Sequence, residues 1–91
     1  MHKNQFIKYI ESEKRFSRNT VQSYTTDINQ FFSFLSIEYQ VEDVKEIHFQ
    51  FIRSWITSLL EKNISTLTVN RKISTLKTYF KFLLKNVEIE K

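Results

Sequence analysis

The sequence predicts a small all-α domain, and three observations support that prediction. The chain has 91 residues, which suits one domain. It contains neither Gly nor Pro, the residues on which the tight turns of a β-rich fold usually depend. Apolar residues recur at helical spacing in four segments, and 41% of the chain is hydrophobic. We therefore expect four helices around one core, with no internal repeat and no interdomain linker.

The first two helices are predicted over residues 1–13 and 18–37. Ser17 is well placed to cap the second helix, because its hydroxyl can accept a hydrogen bond from an unsatisfied backbone N–H group. Six apolar residues of the second helix share one face, which is expected to enter the core: Val21, Tyr24, Ile28, Phe31, Phe32 and Leu35.

The opposite face of the second helix is polar but almost uncharged. It consists of amides and hydroxyls, namely Asn19, Gln22, Ser23, Thr26, Gln30 and Ser33. Solvated helix faces usually mix Glu with Lys, whereas amides and hydroxyls without acids suit contacts with phosphates and base edges. Two interpretations of this face are open at this point: a nucleic-acid contact, or an ordinary solvent face.

The third helix is predicted over residues 48–62, and the fourth from about residue 65 into the 80s. Asn63 is expected to end the third helix, because Asn tolerates the left-handed conformation. Ser65 or Thr66 is expected to cap the fourth, and the helical pattern is lost in residues 86–91, where we expect fraying. The inward residues of the third helix are Ile52, Trp55, Ile56 and Leu59.

The fourth helix is predicted to bury one face and to present cations and hydroxyls on the other. The buried face comprises Val69, Ile73, Leu76, Phe80, Leu83 and Leu84. The outward face comprises Arg71, Thr75, Thr78 and Lys85, with Thr68 and Lys72 beside them. Phe82 also falls on the outward side, where it is expected either to contact another protein segment or to lie under the C-terminal tail.

Charge is distributed unevenly along the chain, whose net charge is +4. Residues 66–91 contain six Lys and Arg against two Glu, whereas residues 38–46 contain four acids against one Lys. An anionic partner would therefore approach the basic end and be repelled by the acidic connection. Val41 and Val44 of this connection are expected to reach the core.

Several functional classes are disfavoured by what the sequence lacks. The absence of Cys excludes a disulfide framework and a thiolate metal site. No apolar run has the length of a signal peptide, and none approaches the ~18 residues of a transmembrane helix. We therefore expect a cytoplasmic protein without a membrane partner.

No catalytic residue, metal or cofactor is predicted. His2 and His48 lack a nucleophile or ligand partner at helical spacing, and a lone His is more often a surface residue than a ligand. Glu11 and Glu13 lie two residues apart on a helix and point in different directions. A phosphate-binding glycine loop is impossible in a chain without Gly.

Two stretches resemble a known family. SRNTVQSY at residues 17–24, followed by Asp27, Ile28 and Phe31, resembles the S-x-N-T-x-x-x-Y-x-x-D-L-x-x-F stretch near the start of tyrosine recombinases. TVNRKISTLKTYFKFL at residues 68–83 resembles their T-x-x-R-x-L-S-x-L-R-x-F-Y-x-Y-L helix. Each motif is moderately specific, but both occur in the expected order and about fifty residues apart.

The resemblance implies the N-terminal core-binding, or SAM-like, domain of phage integrases and Xer-type recombinases. It implies an all-α fold, a compact four-helix SAM-like orthogonal bundle, with residues 1–91 as one such domain and the catalytic domain absent from this chain. The implied function is to clamp duplex DNA at a recombination site, as a domain that is not itself an enzyme. The implied partners are double-stranded DNA, the protein's own C-terminal catalytic domain and sister recombinase protomers.

Combining the resemblance with the two polar helix faces gives a set of expected DNA contacts. We expect both faces to turn toward the same duplex. The candidate residues are Arg18, Asn19, Thr20, Gln22, Ser23, Thr26, Thr68, Asn70, Arg71, Lys72, Thr75 and Thr78.

An alternative function of a different class is a helical protein-interaction module with no nucleic-acid role. Two features motivate it, the outward position predicted for Phe82 and the acidic connection at residues 38–46.

Overall fold

A computed structural model describes residues 1–86, and its secondary structure is helical throughout, as predicted. No strand occurs in this part of the chain. A short 3₁₀ helix at Val44–Glu46 lies between the second and third α-helices. Fraying was predicted for residues 86–91; Asn86 is the last residue of α4, and residues 87–91 lie outside the described residues. The four α-helices are α1 (Lys3–Ser12), α2 (Arg18–Tyr39), α3 (Phe49–Glu61) and α4 (Thr66–Asn86).

The two long helices begin with the same serine cap. The Ser17 hydroxyl accepts a hydrogen bond from the backbone N–H of Thr20 at 3.2 Å, and the Ser65 hydroxyl accepts one from that of Thr68, also at 3.2 Å. In both caps the hydroxyl oxygen of the serine also lies 2.9 Å from the hydroxyl oxygen of the threonine three residues later. Both predicted start signals are therefore confirmed, and each supplies a partner for a backbone donor that the first helical turn leaves unpaired.

The connections bend through left-handed residues that are not glycine. Arg15, Gln40 and Asn63 have φ angles of 51°, 53° and 59°. Asn63 follows the end of α3, as predicted. Arg15 and Gln40 are less usual choices, because a Cβ atom disfavours this region of backbone space.

Helices α2 and α4 form the centre of the fold. Each contacts the other and also contacts α1 and α3, whereas α1 and α3 do not touch one another within residues 1–86. Aromatic rings fill the junctions: the ring of Tyr79 lies 5.3 Å from that of Phe6 and 5.5 Å from that of Phe32. On the other side, the Phe31 and Trp55 rings are 5.1 Å apart. Packing of this kind fixes the relative position of the two long helices.

Two residues of α4 lie opposite to where the sequence predicted them. Phe82 is 3% exposed, with its ring 5.7 Å from that of Phe6 and 5.2 Å from that of Tyr9. Leu84, expected in the core, is 44% exposed. The prediction assumed one buried face, but α4 packs against three other helices, so the side that meets α1 is buried as well.

The acidic connection is more ordered than predicted. α2 continues to Tyr39, and the Asp43 carboxylate then accepts the backbone N–H of Lys45 at the start of the 3₁₀ helix. Val41 and Val44 are buried, as expected.

Within residues 1–86, every helix is too short or too polar to span a bilayer.

Candidate nucleic-acid interface

The polar face of α2 is open to solvent along most of its length. Of the six expected contacts on this helix, four are exposed and two are half-buried. The exposed side chains are Arg18, Asn19, Gln22 and Thr26, and the half-buried ones are Thr20 and Ser23. This arrangement follows from the helical repeat, because residues three and four apart share a face while the apolar stripe enters the core.

The polar residues of α4 divide into accessible and buried groups. Asn70 is exposed, and Thr68, Arg71 and Thr78 are half-buried. By contrast, Lys72 is 4% exposed and Thr75 is completely buried. The sequence placed these two residues on the outward face. That placement is wrong because this side of α4 packs against α2 rather than facing solvent.

A single buried carboxylate explains why Lys72 and Thr75 point inward. Asp27, on α2, has no exposed surface. It accepts two hydrogen bonds from Arg71, from Nε at 3.0 Å and Nη2 at 2.7 Å. It accepts a third from Lys72 Nζ at 2.8 Å and a fourth from the Thr75 hydroxyl at 2.8 Å. One side chain of α2 thus binds three side chains from two turns of α4.

Every buried polar side-chain atom in the cluster of Asp27, Arg71, Lys72 and Thr75 is hydrogen-bonded. The Lys72 ammonium also donates to the Gln30 side-chain oxygen at 2.6 Å, and it lies 6.0 Å above the ring of Trp55. Within residues 1–86, every buried side-chain nitrogen or oxygen has a partner. Buried charges are tolerated only when they are paired in this way.

The electrostatics of the cluster favour its ionised form. Burial alone would raise the pKa of Asp27, but hydrogen bonds from Arg71, Lys72 and Thr75 outweigh it and hold the pKa below the ordinary value. The hydrogen bond to Asp27 raises the pKa of Arg71. With one anion against two cations, the cluster keeps a net positive charge at neutral pH.

Arg71 is the cation of this cluster that reaches solvent. Its side chain is 40% exposed, against 6% for that of Lys72. Asp27 binds Arg71 through Nε and Nη2, and Nη1 takes part in none of the hydrogen bonds among residues 1–86. The guanidinium is thereby held in one plane with an edge available for a phosphate or a base.

Carboxylates are absent from the accessible surface of both long helices except in the last turn of α2, where Glu38 is exposed. Among residues 18–37 the only acid is Asp27, and residues 66–86 contain none. The remaining acids of residues 1–86 lie at the end of α1, at the end of α2 and in the connection that follows it, and at the end of α3. A polyanion can therefore approach residues 18–37 of α2, or residues 66–86 of α4, without meeting an exposed like charge.

No group of three or more His, Asp or Glu side chains comes together in a way that could hold a metal ion in residues 1–86. His48 precedes α3 and is exposed.

Sequence reasoning missed the structural role of Asp27. A signal was present, because Asp27 immediately precedes Ile28 on the apolar stripe and is the only acid of residues 18–37. The Arg71–Lys72 pair on the other long helix offered it two cations. No local pattern links them, however, because 44 residues separate Asp27 from Arg71.

Residues 4–86 match the family model described as phage integrase, N-terminal SAM-like domain. The chain is also similar to proteins named tyrosine recombinase XerC. Identity is 34% over 82 residues with that of Anoxybacillus flavithermus, 38% over 81 with that of Listeria welshimeri and 33% over 85 with that of Bacillus subtilis. These alignments cover 90%, 89% and 93% of this chain, but 27%, 27% and 28% of the relatives. The chain thus spans about a quarter of their length, and no solved structure gave a significant match.

Proposed function

Because this chain belongs to the family of phage integrase N-terminal SAM-like domains, we propose that it binds duplex DNA as a module of a site-specific tyrosine recombinase. The observation that carries the proposal is the acid-free accessible surface of residues 18–37 in α2 and residues 66–86 in α4. The only carboxylate on residues 18–37 and 66–86 is buried beneath two cations. Such a surface suits the phosphate backbone, which supplies most of the affinity in DNA binding.

The proposed contacts divide according to accessibility. Arg18 and Arg71 would anchor phosphates, since both carry a charge that reaches solvent. The exposed amides of Asn19, Gln22 and Asn70 are donors and acceptors that can fix the register on the duplex or read base edges. Thr20, Ser23, Thr26, Thr68 and Thr78 are the accessible hydroxyls of the same surface.

Lys72 and Thr75 have a different role in this proposal. Both bind Asp27 inside the protein, so neither is available to a phosphate without breaking that contact. They hold α4 against α2 and thereby set the relative position of the two proposed DNA-binding faces.

The activity of the whole protein belongs to the proposal as well. The relatives are tyrosine recombinases, and this chain corresponds to about a quarter of each. We propose that the isolated chain binds DNA without cleaving it. The cutting and joining residues would lie in a catalytic domain outside these 91 residues, and the partners in the assembly would be that domain and sister protomers.

The alternative function is a helical protein-interaction module without a nucleic-acid role. The structure contradicts one of the two observations that motivated it, the outward position predicted for Phe82. Phe82, expected on the outside, is buried against α1. The acidic connection remains, and a groove between α3 and α4 adds exposed apolar surface. These features are compatible with DNA binding elsewhere on the molecule, so they do not favour the alternative over it.

Titration of a labelled duplex with the 91-residue chain at several salt concentrations tests the proposal. We expect weak binding, with an association constant whose logarithm falls steeply and linearly with the logarithm of the salt concentration. Replacing Arg18 by Ala should make that slope shallower by about 0.9, the value for one lost phosphate contact on duplex DNA. Lys45→Ala, in the acidic connection, is the matched control and should leave the slope unchanged.

A second pair of variants tests the division between Arg71 and Lys72. Arg71→Gln should make the slope shallower, whereas Lys72→Met should leave the slope of the folded fraction unchanged, with folding monitored by circular dichroism. Binding that does not depend on salt concentration would refute the proposed DNA surface. So would a change in slope for Arg18→Ala no larger than the change for Lys45→Ala.

A further inference from the structure

One edge of the Arg71 guanidinium is held by a side chain that solvent does not reach. Asp27 has no exposed surface, and its two carboxylate oxygens accept hydrogen bonds from Arg71 Nε at 3.0 Å and from Nη2 at 2.7 Å. Two parallel hydrogen bonds between a planar guanidinium and a planar carboxylate fix the orientation of the guanidinium as well as its position. Nη1 and the second proton of Nη2 form another edge, which donates to no acceptor among residues 1–86.

The carboxylate that holds Arg71 is itself fixed in place. The Thr75 hydroxyl lies 2.8 Å from one oxygen of Asp27, and Lys72 Nζ lies 2.8 Å from the other. Because these contacts prevent the carboxylate from turning to follow Arg71, the guanidinium keeps the orientation that Asp27 sets. A long side chain that is ordered before its ligand arrives loses less conformational entropy on binding.

The buried ammonium of Lys72 leaves the charge of Arg71 available to an anion. Asp27 pairs with both cations, so that one negative charge is shared between two positive ones. The side chain of Lys72 is 6% exposed and that of Arg71 is 40% exposed, so the excess positive charge reaches solvent at Arg71. Arg18 offers a contrast, because it is exposed and forms no ion pair within the part of the chain that the structure describes.

We propose that Asp27 is a positioning residue of the DNA-binding surface, which holds Arg71 so that its free edge donates to two oxygens of one phosphate group. The inference rests on the proposed function, since it requires that the chain bind duplex DNA. Asp27 itself touches no DNA, and its charge alone would repel a phosphate. Removing the carboxylate should nevertheless weaken DNA binding, because Arg71 loses its orientation. The expected effect is therefore opposite in sign to the effect of charge.

A matched pair of arginine-to-lysine variants tests whether the orientation of Arg71 matters, with the affinity for a labelled duplex measured at one salt concentration. Both variants keep the net charge of +4. Arg71→Lys should weaken binding about tenfold, because one ammonium cannot bond Asp27 along one edge and a phosphate along another. Arg18→Lys is the control and should change the affinity less than about twofold, because no partner orients Arg18. The loss for Arg71→Lys should be the same on duplexes of unrelated sequence, because phosphates carry no sequence information.

A second experiment removes Asp27 without changing the net charge. The chain with Asp27→Asn and Lys72→Met loses one negative and one positive charge, so long-range electrostatics predicts unchanged affinity. We expect its folded fraction, measured by circular dichroism, to bind about tenfold more weakly than wild type. Adding Arg71→Gln should then have little further effect, although the same change weakens binding by the wild-type chain. If the loss came only from a shift of α4 against α2, Arg71→Gln would have its full effect in both backgrounds.

The outcomes separate this inference from the proposed function. Equal effects of Arg71→Lys and Arg18→Lys would overturn the positioning role of Asp27, and so would a double variant that binds DNA as tightly as wild type or more tightly. A loss for Arg71→Lys that is confined to one duplex sequence would overturn the phosphate contact. In each of these cases the wild-type chain still binds DNA and the proposed function stands. A wild-type chain without salt-dependent binding would refute the proposed function, and this inference with it.

Discussion

Replacing Asp27 by Asn should destabilise the domain more than most single substitutions. The two side chains have nearly the same size, so the change removes the charge and leaves the packing almost intact. Asp27 accepts four hydrogen bonds, and three of them come from charged donors. The substitution leaves the Lys72 ammonium, whose side chain is 6% exposed, without its carboxylate.

The size of the effect follows from that uncompensated charge. Removing one partner of a buried ion pair costs about 3–5 kcal/mol. Lys72 meets this description, whereas Arg71 is 40% exposed and regains much of its hydration, so it contributes little to the penalty. A domain of this length has a free energy of unfolding of about 5–14 kcal/mol. Asp27→Asn should therefore remove a large share of it and lower Tm by at least about 12 °C.

The assay is urea and thermal unfolding of the 91-residue chain at neutral pH, followed by circular dichroism. A double-mutant cycle isolates the cause: Asp27→Asn, Lys72→Met and the two combined. Because the combined variant has no unpaired ammonium, it should be more stable than Asp27→Asn alone. A loss below about 1 kcal/mol for Asp27→Asn, or strictly additive effects in the cycle, would refute the assignment of Lys72 as a buried counter-ion.

Three further predictions address the titration of Asp27 and the packing of α4. The folded state lowers the pKa of Asp27 from its ordinary 3.8, so the unfolded chain binds the proton first as the pH falls. The difference in unfolding free energy between wild type and Asp27→Asn should therefore be complete at neutral pH and should shrink as the pH falls below 3.8. Unfolding experiments across acid pH measure this difference. Phe82→Ala should cost about 3–5 kcal/mol of unfolding free energy, because it opens a cavity beside α1. Phe49→Ala is the control and should cost less than about 1 kcal/mol, because that ring is exposed. Equal losses for the two variants would contradict the burial of Phe82. Tyr79→Phe removes a hydrogen bond from the phenol to the Met1 carbonyl and should cost about 0.5–1.5 kcal/mol in the same assay, with no change in the circular dichroism spectrum.

The features that the sequence predicted correctly depend on residues close together in the chain. Ser17 and Ser65 cap their helices because a serine hydroxyl reaches a backbone N–H three residues later, and that geometry is the same in any helix. Asn63 takes the left-handed conformation for an equally local reason. Helix type, number and approximate bounds follow from such signals together with the apolar period.

The features that the sequence predicted wrongly depend on which helices meet. A helical wheel assigns one buried face, which is adequate for a helix at the edge of a bundle. α4 is central and contacts three helices, so Phe82, Lys72 and Thr75 are buried on sides that the wheel left outside. Periodicity within α4 contains no information about its neighbours, and Asp27 is the residue that would have shown which polar side faces inward.

The bends at Arg15 and Gln40 have a consequence for how this small protein loses its shape. Each uses a backbone conformation that a residue with a Cβ atom reaches only at some local cost, commonly about 1–2 kcal/mol. Short-range preference therefore opposes these two changes of direction, and the packed interior maintains them. Once the interior loosens, both corners tend to relax, so that rigidity and shape disappear in one concerted event and few half-open forms accumulate.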